Sequence, residues 1–343
     1  MNIHEKYMAL AIALAKKAEG LTSPNPMVGA VIVKKGVIIG RGYHKKAGLP
    51  HAEINALRQA GNKARGAMLY ITLEPCNHFG RTAPCTDAII DSGIKKVYIA
   101  MKDPNPINNG SGIRRLNKHG VETKVGILAL DAQAMNRPYV KFITTGMPFI
   151  TVKVAQSLDG KIATRSGDSR WISAGDSRRF VHKLRAKADA VMVGANTFRM
   201  DDPLLLSKTS RDRQPVRIIV GGRLKASSSA RIFFDAYKSP VIIVAPRPGG
   251  GKKVDLSKLL KKLAKMSIVS VLVEGGGELI ASLIKENLVD RFLIFIAPKI
   301  IGGRDAKTAV EGSGIEKIKD ALNLKNMSVR RFKYDILIEG QVR

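Results

Sequence analysis

The stretch from His51 to Cys85 constrains this chain more than any other. It holds His51-Ala52-Glu53, then Thr72-Leu73-Glu74-Pro75-Cys76 and Pro84-Cys85, and it contains both of the chain's cysteines. One imidazole and two thiols are the donor set of a zinc site that keeps its fourth position open for water. Glu53 cannot also ligate without closing that position. Two residues from His51, it stands where a carboxylate can take a proton from a metal-activated water and hand it on, acting as base and then as acid.

Other readings of these residues are a disulfide, inert buried thiols, and His51 as a helix cap. Only two cysteines in 343 residues, without a secretory signature, point to a reducing cytoplasm rather than a disulfide. Each cysteine follows a proline and the H-x-E precedes both, the order seen in zinc-dependent nucleobase deaminases. The spacing departs from their C-x-x-C, because eight residues, Asn77 to Pro84, separate Cys76 from Cys85. That longer loop, Asn-His-Phe-Gly-Arg-Thr-Ala-Pro, resembles the bifunctional riboflavin biosynthesis deaminase-reductase family, whose deaminase half carries T-L-E-P-C-S-H-x-G-R-T-P-P-C. Asn77 replaces the serine and Ala83 a proline, and neither position is a metal ligand.

A chain of this length fits two domains of about 150 to 200 residues, each with its own core. Its composition, 45% hydrophobic and 25% charged, is that of a globular protein. The net charge of +30 favours anionic partners. The cations come as scattered pairs such as Lys16-Lys17, Lys95-Lys96 and Arg330-Arg331, and only 5% of residues are aromatic. That pattern lacks the basic stripe and stacking platform of a nucleic-acid binder. It fits small phosphorylated substrates instead. No apolar run approaches the ~18 residues of a membrane span. Met8 to Ala15 imitates a short signal peptide, but its apolar residues lie at helical spacing, and an amphipathic first helix is the simpler account.

Beyond that helix, Val28 to Val33 and Val37 to Ile39 read as a β-hairpin around Lys34-Lys35-Gly36. Asn25 stands between Pro24 and Pro26 at its entry. From the residues alone this is equally a rigid turn; the deaminase resemblance implies an Asn that bonds the substrate ring. His51 to Ala60 reads as a helix, Ala67 to Leu73 as a strand, Cys85 to Ser92 as a helix and Lys96 to Met101 as a strand. Alternating strands and helices imply a sheet covered by helices. Ligands at two helix starts would also gain from the positive dipole end, which lowers thiolate pKa. The pattern pauses at Thr144 to Pro148, so the domain boundary is expected near residue 146, dividing the chain into 1–145 and 146–343.

The second half repeats neither the H-x-E nor the cysteines. Strands are expected at Phe149 to Gln156, Ala190 to Val193, Val216 to Val220, Val241 to Ala245, Val269 to Val273 and Arg291 to Ala297. Val273-Glu274-Gly275-Gly276-Gly277-Glu278 leads a strand through glycines into a helix over Leu279 to Glu286. Such geometry suits a phosphate, though the pattern alone leaves a tight structural turn open. Gln156 to Lys161, Gly167 to Ser173 with Trp171, Val193 to Thr197 and Asp201-Asp202-Pro203-Leu204-Leu205 look like the reductase half of the same family.

The resemblance therefore spans nearly the whole chain. It implies a cytidine-deaminase-like αβα sandwich followed by a dihydrofolate-reductase-like α/β domain. It further implies one zinc on His51, Cys76 and Cys85 with Glu53 catalytic, and Asn25 on the substrate. NADPH would be met by Ala155, Trp171, Thr197, Asp201, Gly222, Gly276, Gly277, Glu278, Leu279 and Ile280. The phosphorylated substrate of the second step would meet Ser169, Arg185, Leu205, Lys208 and Glu274. Lys208 stands where the family usually has arginine, exchanging a bidentate fork for a point charge. Gly221-Gly222 stands where it tends to have Asp-Ser. Arg223 and Lys225 are cations placed to meet a 2′-phosphate. The expected activity is hydrolytic deamination of a diaminopyrimidinone ribosylamino phosphate, then NADPH reduction of its ribosyl group, by a cytoplasmic homo-oligomer with neither nucleic-acid nor membrane partners. The rivals are an RNA-editing deaminase with an RNA-binding second domain and a structural metal protein with a vestigial site. The NADPH-like motifs speak against the first and the retained Glu53 against the second.

Overall fold

The computed structural model describes residues 1–79, 83–210, 213–222, 230–234, 236–237, 239–246 and 253–342. The chain divides into two compact units, Met1–Met147 and Pro148–Arg343.

In the first unit, helix α1 (Ile3–Lys16) begins with a capping box: the Asn2 side chain accepts from the Glu5 N–H, and the Glu5 carboxylate accepts from the Asn2 N–H. Strands β1 (Gly29–Lys34) and β2 (Val37–Tyr43) form the hairpin, with β2 longer than its short apolar run suggests. Then come α2 (Ala52–Ala60), β3 (Met68–Leu73), α3 (Cys85–Asp91), β4 (Lys96–Met101), α4 (Ser111–Lys118), β5 (Glu122–Val125), α5 (Ala129–Met135) and α6 (Arg137–Thr145).

The strand order is β2-β1-β3-β4-β5, antiparallel on the hairpin side and parallel from β3 to β5. Alternation along β1 sends Ala30 and Ile32 to one face, with Leu69, Ile71 and the alanines of α2, and Val31 and Val33 to the other, with Tyr70 and Met8 of α1. The result is a sheet between two helical layers. α2 lies unusually close to the sheet, since a Cβ on Gly42 would fall 2.1 Å from the Ala52 carbonyl oxygen and one on Gly40 2.4 Å from that of Ala56. That seam fixes where His51 and Glu53 project.

The second unit carries β6 (Phe149–Ser157), α7 (Gly175–Lys187), β7 (Ala190–Gly194), α8 (Ala195–Asp201), β8 (Val216–Val220), α9 (Arg231–Phe234) and β9 (Val241–Val244). After them come α10 (Leu256–Lys265), β10 (Ser270–Val273), α11 (Gly277–Lys285), β11 (Arg291–Ala297), β12 (Lys325–Phe332) and β13 (Asp335–Gln341). Among the described residues they form one sheet, ordered β12-β13-β11-β6-β10-β7-β8-β9. The strands from β11 to β9 run parallel, and β13 and β12 close one side antiparallel. The hairpin of β12 and β13 escaped the sequence reading. β12 is a nearly fully exposed edge strand, so it carries no hydrophobic alternation to announce it. No helix of the described residues is long and apolar enough to cross a membrane.

Candidate active sites

His51 occupies the N-cap position of α2 without a side-chain capping bond, Cys76 follows β3 and Cys85 opens α3, and their ligand atoms lie within 4.8 Å of one another. His51 Nδ1 is 3.2 Å from Cys85 Sγ and 3.6 Å from Cys76 Sγ. One imidazole nitrogen and two free thiols at this spacing fit a zinc ion with one position to spare. Sequence reasoning expected the dipole of α3 to favour the thiolate of the cysteine at its start. The geometry corrects this. The first amide of α3, that of Cys85, donates to Cys76 Sγ at 3.3 Å. Hydrogen bonding from the Cys85 thiol, from His51 and from that amide holds the Cys76 thiol well below its ordinary range. The Cys85 thiol is pushed up, first by sharing its proton with Cys76 and then by burial. Zinc binding must therefore expel that proton.

Glu53 sits on the first turn of α2, 3% exposed. Burial and the Cys76 thiolate push its carboxyl up to about 7, and its Oε2 has no hydrogen-bond partner. A buried carboxyl poised near neutrality with one oxygen uncommitted is suited to exchange a proton with a reactant. Asn25 Nδ2 lies 3.2 Å from Nε2 of the buried His44, whose ring packs edge-on against His51. Asn25 is thus brought to the rim of the metal site.

The second unit contains a cavity of about 550 Å³, within the size range of small-molecule and cofactor sites. Ala155, Trp171, Thr197, Asp201, Gly276 and Ile280 of the expected cofactor set line it, as do Ser169, Arg185, Leu205 and Glu274 of the expected substrate set. Trp171, the only tryptophan, is 63% exposed and stacks under Arg178, so it serves as a surface of the cavity rather than as core. Ser169 Oγ donates to Asp201 at 2.9 Å.

Lys208, Gly222, Gly277, Glu278 and Leu279 are placed beside the cavity-forming segments and do not line it. Leu279 is buried. A Cβ on Gly277 would fall 2.4 Å from Glu311 Cγ and 2.9 Å from the Thr308 carbonyl oxygen, so this glycine admits neighbouring protein rather than an anion. Gly275 and Gly276, both at positive φ, carry the bend into α11 at the cavity wall. Gly221 and Gly222 likewise take left-handed φ values of 94° and 73°, which would strain the Asp-Ser usual at that point. Arg223 and Lys225 lie outside the described residues.

Arg185 and Glu274 face each other as a fork, Nε to Oε1 at 2.5 Å and Nη2 to Oε2 at 2.9 Å, and Arg185 Nη1 donates to the Leu206 carbonyl. Lys153, absent from the sequence reading, lines the same cavity with its Nζ 4.0 Å from Glu274. Burial lowers its pKa despite that carboxylate. The signal was present as a single cation inside the apolar run of β6, Phe149-Ile-Thr-Val-Lys-Val-Ala.

A thiol-and-imidazole metal site on a three-layer sandwich, joined to a cation-lined cavity in a second α/β unit, defines a zinc deaminase fused to a cofactor-dependent enzyme. Residues 1–101 match the cytidine and deoxycytidylate deaminase zinc-binding region and residues 148–338 the RibD C-terminal domain. The riboflavin biosynthesis protein RibD of Aquifex aeolicus is 44% identical over 98% of both chains. The structure of Acinetobacter baumannii RibD superposes with a TM-score of 0.90 at 35% identity over 98% of both chains. A Thermotoga maritima structure described as a diaminohydroxyphosphoribosylaminopyrimidine deaminase and 5-amino-6-(5-phosphoribosylamino)uracil reductase gives 0.88 at 36%, again over 98% of both. The chain belongs to the RibD family of bifunctional deaminase-reductases of riboflavin biosynthesis.

Proposed function

We propose that residues 1–145 deaminate 2,5-diamino-6-(5-phosphoribosylamino)pyrimidin-4(3H)-one and that residues 146–343 use NADPH to reduce the ribosyl group of the product to ribityl, giving 5-amino-6-(5-phosphoribitylamino)uracil. The observation that carries the first step is the convergence of His51, Cys76 and Cys85 beside the buried, uncommitted Oε2 of Glu53. His51, Cys76 and Cys85 would hold zinc, which would supply Lewis-acid activation of water near neutral pH. Glu53 carries the proton, accepting it from the attacking water and delivering it to the departing amine. Asn25, held by His44, orients the pyrimidine ring through its carboxamide.

For the second step, NADPH supplies the hydride. Ala155, Trp171, Thr197, Asp201, Gly276 and Ile280 hold the cofactor at the cavity, with Gly222, Gly277, Glu278 and Leu279 behind or beside it. Ser169, Arg185, Leu205, Lys208 and Glu274 position the phosphorylated ribose. With Arg185 and Glu274 paired, Lys153, Arg170, Arg178 and Arg231 outnumber Asp201 and Asp202 in the cavity lining, a balance that favours phosphorylated ligands. Two free cysteines support a reducing cytoplasm as the setting. The exposed edge of β12, with Met327 and Val329 open to solvent, supports a second copy of the chain as partner.

The test is ultraviolet absorbance during incubation with the diaminopyrimidinone substrate. Without NADPH, the pyrimidine spectrum alone should change; adding NADPH should then bleach the reduced nicotinamide band. NADPH bleaching by substrate that has not been deaminated, or no pyrimidine spectral change in the absence of NADPH, would overturn the order of steps.

A further inference from the structure

The two cysteines are separated by eight residues, and a loop that long does not hold two thiols together as a two-residue spacer would. Specific hydrogen bonds, more than loop length, fix their separation. Asn108, 1% exposed, does so for Cys76. Its Oδ1 accepts the Asn77 N–H at 3.0 Å and its Nδ2 donates to the Pro75 carbonyl at 3.3 Å, so one carboxamide grips the backbone on both sides of the ligand. The remaining capacity of that carboxamide is also filled, by the Ser111 hydroxyl at 3.2 Å and by Asp103 Oδ2 at 3.3 Å.

Asn77 extends the grip to Cys85. Its Oδ1 accepts from the hydroxyl of Thr86, the residue after Cys85, at 3.1 Å, and its Nδ2 reaches the Ser111 carbonyl at 3.4 Å. The Thr86 N–H meets the Cys76 carbonyl at 3.3 Å. The segment that carries Asn108 is itself pinned, because the buried carboxylate of Glu74 accepts N–H groups from Asp103, Gly110, Gly112 and Ile113. It is also pressed hard against the ligand strand: a Cβ on Gly112 would fall 2.2 Å from the Pro75 oxygen.

We propose that Asn77 and Asn108 are positioning residues that set the distance between Cys76 and Cys85 and so preorganise the zinc site. This rests on the reading of His51, Cys76 and Cys85 as zinc ligands. Neither asparagine touches a ligand side chain in any contact described above; each acts through the backbone next to one. Partners of this outer kind tune metal affinity because they decide how much the ligands must rearrange on binding.

The experiment uses the full chain with zinc removed and titrated back against a chromophoric chelator, and in parallel with cobalt(II), whose visible spectrum reports coordination geometry. Asn108→Ala and Asn77→Ala should each weaken zinc by about 10-fold to 100-fold. Both should shift and weaken the cobalt ligand-field bands. Thr86→Val keeps the side-chain shape and removes only the hydroxyl donor, and should weaken zinc by roughly 2-fold to 10-fold, which keeps the test open where an alanine variant does not fold. A purely structural role would lower the melting temperature of the metal-free chain and leave affinity and spectrum unmoved, and that result overturns the proposal. A parent chain that took up no zinc would overturn the metal site itself; a parent that binds, with variants that bind equally well, overturns only the role of the asparagines.

Discussion

Glu274→Gln isolates what the buried ion pair contributes to the second unit. Glu274 accepts two hydrogen bonds from Arg185, and Lys153 Nζ lies 4.0 Å away. The side chains of Glu274, Lys153 and Arg185 are 5%, 16% and 17% exposed, so solvent screens the two cations only in part once the anion is lost. Glutamine preserves volume and one acceptor, which removes any cavity contribution. The effect is then that of stranding two buried cations, and breaking a buried pair in this way costs about 3–5 kcal/mol. In a unit of about 200 residues each kcal/mol lowers Tm by roughly 2–4 °C, so the transition of this unit should fall by roughly 6–20 °C in calorimetry of the full chain. The pH dependence has a definite sign. Burial pushes the Glu274 carboxyl up, but the Arg185 charge and hydrogen bonds outweigh it and leave its pKa below the ordinary value of 4.5. A folded pKa lowered in this way contributes stability that is complete above the unfolded value and is lost as pH falls through the folded one. The gap between parent and variant should be full at neutral pH and narrow in acid. A fall of less than about 2 °C at neutral pH, against the range expected from the pair, would refute the reasoning, as would a gap that did not change down to the acid limit of folding.

Glu53→Gln should retain zinc and lose deamination by about 10²-fold to 10⁴-fold, while NADPH is still consumed when deaminated substrate is supplied; loss of both activities in a folded, zinc-loaded variant would contradict two separate sites. Elemental analysis should find one zinc per chain in the parent and none in Cys76→Ser, and equal metal in both would remove Cys76 from the ligand set. The reductase should prefer NADPH to NADH, since Arg231 and the other cations of the cavity favour an additional phosphate; comparable kcat/KM for the two cofactors would reject that preference.

The metal site was legible in the sequence because ligand chemistry restricts residue type: few residues can hold zinc and leave a position open, and His51, Glu53, Cys76 and Cys85 occur in a recognisable order. Strands β1, β3 and β4 of the first unit were legible for a related reason, since they bury both faces and must read as apolar runs, whereas the mostly exposed β5 was not read. Local signals also placed the amphipathic first helix and the helix starts at His51 and Cys85. None of these needs knowledge of what lies across the fold.

What the tertiary structure decided is which partners meet. Arg185 and Glu274 are 89 residues apart, and only packing shows that their charges are largely spent on each other. Gly277 looked like an anion-binding glycine until Thr308 and Glu311 were found against it. The lowered thiol is Cys76 rather than the cysteine at the helix start, because the amide of Cys85 points at its neighbour's sulfur. Asn108 grips the backbone around a ligand 32 positions earlier, by hydrogen bonds that a polar side chain in a loop does not advertise. Sequence fixes which chemical groups a chain possesses and how neighbours can fold. Their proton sharing, pairing and shielding depend on distances between remote segments, and those exist only once the sheets have closed.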